Sequence, residues 1–245
     1  MIAHPATLLF VVVALAGVES PAPLQAQTGD ALTAAVEAEL REDRALRGLE
    51  VTVAGTEVTL AGRVETFWEK SEALRRTFDV PGVGTVASEI EIPQVEDEQD
   101  LAADVIKAIQ RYEYTTMWDQ IDFRMHEGAV TLSGRVHPLR DKAGDLFERI
   151  AKVKGVQDVQ VNLETLSSRG SDEAIRSSIR RQLLRSEHFM RTARMRNPPY
   201  RIIVDNGIVT LLGYAQSNID RLEMQRIVGQ TNGVLRVDNQ LETLR

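Results

Sequence analysis

Val58-Thr59-Leu60-Ala61-Gly62 recurs, altered only at its fourth residue, as Val130-Thr131-Leu132-Ser133-Gly134 and as Val209-Thr210-Leu211-Leu212-Gly213. The closing glycines lie 72 and 79 residues apart, too far for a solenoid repeat and right for small tandem domains. A second glycine follows each copy at 20, 21 and 20 residues: Gly82 in Pro-Gly-Val, Gly155 in Lys-Gly-Val and Gly233 in Asn-Gly-Val. Valine and leucine of the motif face one side of a strand and threonine the other, as a period of two requires. The glycine after them permits a bend or a close backbone approach that a side chain would block. All six glycines are therefore read as structural.

Working outward, each unit opens with an amphipathic helix. Leu32, Val36 and Leu40 recur at helical spacing in the first, Leu101, Val105, Ile106 and Ile109 in the second, and Ile175, Ile179, Leu183 and Leu184 in the third. Ser171, with Asp172 and Glu173 after it, reads as the start of the third of these helices. Two strands precede and include the motif, and Asn206-Gly207 gives the strongest hairpin signal. A second helix follows, announced by Thr66 with Glu69 and by Ser217 with Asp220, while Pro138 and Asp141 occupy that place in the second unit. The Gly-Val turn then leads to a last strand. The expected architecture is α+β: three tandem units of helix, strand, strand, helix and strand, each with two helices on one face of a three-stranded sheet. The boundaries read as 28–93, 98–166 and 170–245. The linkers around Glu96 and Ser168 are short, which leaves packed units or a loose hinge open.

Residues 1–26 differ from the rest. Thr7 to Val18 is a continuous apolar run, of signal-peptide length and short for a bilayer span. We expect an export leader cleaved near Ala26, a periplasmic or otherwise exported mature protein, and no membrane-spanning segment after the leader. The 245-residue chain has no cysteine, which removes disulfides, thiolate chemistry and a lipid-modified N-terminal cysteine together.

The helix, the Val-Thr-Leu-x-Gly strand, the second helix, the Gly-Val turn and the last strand together resemble the BON domain family (bacterial OsmY and nodulation). Gly233-Val234-Leu235-Arg236-Val237-Asp238-Asn239-Gln240-Leu241 is closely similar to that family's Gly-Val-x-x-Val-x-Asn-x-Leu. The first unit departs from it with Ser88 and Ile90, and the second with Val161 and Asn162 one place later. The resemblance implies exported, envelope-associated proteins linked to osmotic or envelope stress, modules proposed to bind phospholipid surfaces, and no catalytic residues.

The residues themselves give no enzymatic constellation. His126, His137 and His188 share no ligand spacing and read as isolated surface histidines. Ser133 lies in Leu-Ser-Gly-Arg rather than in a hydrolase elbow, and Ala61 and Leu212 replace it in the other units. Glu96, Asp97, Glu98 and Asp100 read as a solvated acidic linker. Neither a cofactor nor a metal is expected, and the chain is read as non-enzymatic.

Charge is more informative. Residues 27–168 carry 16 Lys+Arg against 27 Asp+Glu, whereas residues 169–201 carry nine arginines and no lysine against three acids. A guanidinium presents a planar fork of donors suited to phosphate, and basic clusters gain energy near anionic lipid. Arg176, Arg180, Arg181, Arg185, Arg191, Arg194, Arg196 and Arg201 are the candidate lipid or anion-binding set. Phe189, Met190 and Met195 are interleaved as candidates for insertion at a headgroup boundary. Two other readings stay open. The arginines could pair with the acidic first and second units or form a solvated face, and the protein could be a scaffold that binds envelope proteins without a lipid site. Nucleic acid shares the charge signature, but export sets it aside. Arg63 and Arg135 follow the motif glycine, yet the third unit has Tyr214 there, so no site is shared by all three. Trp68, Trp118, Tyr112 and Tyr114 are read as packing residues.

Overall fold

The computed structural model describes residues 24–244. The expected leader falls outside them except for its last residues, which lie in the first helix. The first unit comprises α1 (Leu24–Glu42), β1 (Glu50–Ala54), β2 (Glu57–Arg63), α2 (Phe67–Asp79) and β3 (Thr85–Glu91). The second comprises α3 (Glu98–Gln110), β4 (Gln120–His126), β5 (Ala129–Val136), α4 (Lys142–Ala151) and β6 (Asp158–Thr165). The third comprises α5 (Gly170–Arg185), a 3-10 turn (Thr192–Arg194), β7 (Tyr200–Asp205), β8 (Ile208–Ala215), α6 (Asn218–Gly229), β9 (Arg236–Asn239) and β10 (Glu242–Thr243).

The motif strand is central in every sheet. β2 and β5 each pair antiparallel with the strand before and parallel with the strand after the crossover helix. In the third unit β8 does the same, but its parallel partner is broken into β9 and β10 around Gln240 and Leu241. Motif valine and leucine are buried in each copy, and both helices of a unit complete its core against them: Val36 and Leu40 with Ala73 in the first, for example. Gly134 has φ 130°, and a Cβ there would lie 2.2 Å from the Gln120 carbonyl oxygen; at Gly213 the Pro199 carbonyl oxygen would be met at 2.4 Å. The motif ends in glycine because the start of the neighbouring strand crosses it where a side chain would be.

Helix starts follow side-chain chemistry. Thr66 and Glu69 form a reciprocal capping box, and the Ser217 hydroxyl accepts from the Asp220 amide. After Pro138 the helix waits until Lys142, because Asp141 supplies the cap by accepting from the Gly144 amide. The expected role of Ser171 differs. α5 begins at Gly170 without a side-chain cap, and buried Asp172 instead accepts from the amides of Asn206 and Gly207, fastening the hairpin turn of its own unit.

The units pack on one another. Phe67 and Trp68 meet Phe147 edge-on at centroid distances of 6.1 and 6.3 Å. Val95 of the first linker presses on Gly155, and Gln157 donates to the Pro93 carbonyl oxygen. The second contact is closer still: the Ile202 amide of β7 donates to the Met117 carbonyl oxygen at 2.7 Å. Met117 and Trp118, from the loop between α3 and β4, are part of the third unit's core. No helix of the described residues is long and apolar enough to cross a membrane.

Candidate functional site

α5 and the segment after it carry the basic charge, and the periodicity of α5 divides its arginines. Asp172, Ile175, Arg176, Ile179 and Leu183 form the buried stripe, while Arg180, Arg181 and Arg185 face solvent. Arg176 is 1% exposed. Its guanidinium donates to the carbonyl oxygens of Val204 (2.7 Å) and Ser167 (3.3 Å) and meets Glu173. Those donors tie the linker to strand β7, so Arg176 leaves the anion-binding set: it is enclosed and committed to the fold.

Beyond α5 the chain turns sharply and is held at several points. The Thr192 hydroxyl bonds to the Phe189 carbonyl oxygen and lies 3.2 Å from the Tyr200 hydroxyl, and His188 lies 2.6 Å from Asp220 on α6. Ser217 and then His188 hold the Asp220 carboxyl below its usual value. Phe189 is a further correction. Its ring is buried in the third unit's core, edge-on to Tyr200 at 6.0 Å, and it has no surface to offer a membrane. Met190 and Met195 are exposed.

Arg191, Arg194 and Arg196 are exposed on this held segment. Among the described residues, Arg180, Arg181, Arg185, Arg191 and Arg194 form no ion pair; the lysine and arginine salt bridges of the acidic units are made within or between those units. Pairing of these five with the first two units is thus not what the structure shows. Arg196 reaches the Arg111 carbonyl oxygen at 3.4 Å. Arg201 is half-buried and donates to the Pro198 carbonyl oxygen at 2.6 Å and to the Asn197 side chain. Burial pushes its guanidinium below the ordinary arginine value, against the pull of the Asp119 carboxylate.

The structure also builds a polar cluster around Asp119 and Lys142, which the sequence did not single out. Buried Asp119 accepts from Lys142 Nζ and from the His137 amide, all at 2.7 Å, and from Thr116. His137 is itself buried, contrary to its reading as a surface residue, with Nε2 3.0 Å from Glu173 of α5. Tyr112 donates to Asp145, and burial raises its hydroxyl above the ordinary tyrosine value. Among the described residues, no group of three or more His, Cys, Asp or Glu is placed to hold a metal ion. Between α3, β4 and the Arg196–Arg201 segment lies a cavity of about 240 Å³.

A family comparison agrees with the three-unit architecture. The sequence model described as "BON domain" matches residues 28–94, 97–166 and 171–245. Comparison with curated proteins finds no significant match. Two solved structures of CdsD, a structural protein of the type III secretion system of Chlamydia trachomatis, are each 16% identical. The first, of its C-terminal domain, is matched over 86% of this chain and 96% of that one with a TM-score of 0.24. The second is matched over 87% and 92% with a TM-score of 0.22. Superpositions of that quality support no functional comparison.

Proposed function

The chain belongs to the BON domain family, and from that premise we propose that it is a non-enzymatic exported envelope module that associates with anionic phospholipid surfaces. One observation carries the reading: Arg180, Arg181, Arg185, Arg191 and Arg194 are exposed and free of ion pairs among the described residues. A surface arginine without a carboxylate partner gives up little on meeting a phosphate, which its planar donors fit. Each such residue contributes about 1 kcal/mol near an anionic leaflet, so five give about 5 kcal/mol. That corresponds to a dissociation constant of about 10⁻⁴ M, and exposed Met190 and Met195 add apolar contact at the headgroup boundary. Association is then weak, reversible and screened by salt.

Co-sedimentation with vesicles tests this. Binding is expected with anionic lipid at low salt, to fall as salt rises, and to fall again in the triple variant Arg185→Gln, Arg191→Gln, Arg194→Gln. Retention indifferent to anionic lipid contradicts the proposal and favours the scaffold reading, in which the units bind envelope proteins.

A further inference from the structure

The cavity between the second and third units has an unequal lining. Ile109, Ile121 and Phe123 form an apolar wall of half-buried side chains, and Arg196, Asn197 and Arg201 stand on the other side. We infer that this cavity binds a single alkyl chain ending in an anionic group, the chain against the apolar wall and the anion at Arg196 and Arg201.

Two observations support the assignment. First, about 240 Å³ is below the roughly 300–1,000 Å³ of sites that hold drug-sized ligands. A medium-length chain suits that space, and the paired chains of a bilayer lipid do not. Second, the cationic side has no carboxylate of its own to neutralise it. Arg201 donates to carbonyl oxygens and an asparagine, and Arg196 makes one long bond to a carbonyl oxygen. Asp119 also reaches the wall, but Lys142 matches its charge and both carboxylate oxygens are taken by donors.

The inference does not depend on vesicle association, because a monomeric ligand in free solution reaches the cavity whether or not α5 meets a bilayer. Calorimetric titration of the whole protein with decanoate, decyl phosphate and decanol, each below its aggregation concentration, tests it. One molecule of an anionic probe is expected to bind per chain, with decanol weaker by about tenfold or more for want of charge-assisted hydrogen bonds. Preference between carboxylate and phosphate then separates a fatty acid from a lysophospholipid source. Arg196→Gln, whose side chain is exposed, should weaken the anionic probes with an unchanged thermal melt. The triple variant in α5 and the following segment, Arg185→Gln, Arg191→Gln, Arg194→Gln, should bind them as the parent does. Equal binding of decanol and decanoate overturns the inference, as does no binding by either anion or full affinity in Arg196→Gln.

Discussion

Lys142 Nζ lies 2.7 Å from both carboxylate oxygens of Asp119, and both side chains are 0% exposed. The pair is the polar centre of the junction between the second and third units. Asp119 follows Trp118, which packs in the third core, and it also receives the amide of His137, whose ring meets Glu173 of α5. Removing one member leaves a buried charge unmatched, which costs about 3–5 kcal/mol. Lys142→Met should therefore lower the denaturant midpoint strongly. Adding Asp119→Asn should recover part of that loss, because the stranded carboxylate is then gone. Equal midpoints for parent and Lys142→Met would show that the pair is dispensable.

The same junction predicts that the third unit is not self-sufficient. Met117 and Trp118 belong to its core but precede its own first helix by some fifty residues, and the Ile202 amide is satisfied by Met117. A fragment of residues 168–245 should unfold at lower denaturant than the same unit within 98–245, as read by amide exchange of β7 and β8.

Motif glycine is a steric requirement. Gly134→Ala places a Cβ against the Gln120 carbonyl and holds alanine at φ 130°, a conformation costing about 1–3 kcal/mol before the clash is counted. Gly48→Ala meets nothing within 4 Å and should change stability by no more than about 0.5 kcal/mol. Thermal unfolding of both variants checks the contrast.

Stability should fall on the acid side through Glu173. His137 first, and Arg176 after it, hold the Glu173 carboxyl below its ordinary value. In the pH range between the lowered folded value and the ordinary one, the unfolded chain binds more protons, so stability rises with pH there. The contribution is fully present above the ordinary carboxylate range and is lost as pH falls through the folded value. Glu173→Gln should flatten this part of the pH profile, measured as the denaturation midpoint from neutral pH downward.

The fold was largely legible, because Val-Thr-Leu-x-Gly, its partner glycine and the helical spacings are local patterns. The site was less so, and for a physical reason: whether an arginine faces phosphate or carbonyl depends on what packs beside it. Some signal was present. Arg176 falls between Ile175 and Ile179 on the stripe of α5, and Lys142 lies one and two turns before Leu146 and Ile150, so helical periodicity alone places both inward. Phe189 follows a helix end and gives no periodic clue; only its meeting with Tyr200 shows it to be core. Asp119 sits in a loop, where sequence spacing says nothing of the neighbouring unit.

The most direct test of the central claim is co-sedimentation of the protein with vesicles of neutral lipid and of neutral lipid mixed with anionic lipid, at low and at high salt. Binding only to the anionic vesicles, weakened by salt and by Arg185→Gln, Arg191→Gln, Arg194→Gln, is the expected result. Equal recovery with both kinds of vesicle, or no recovery with either at low salt, would contradict it.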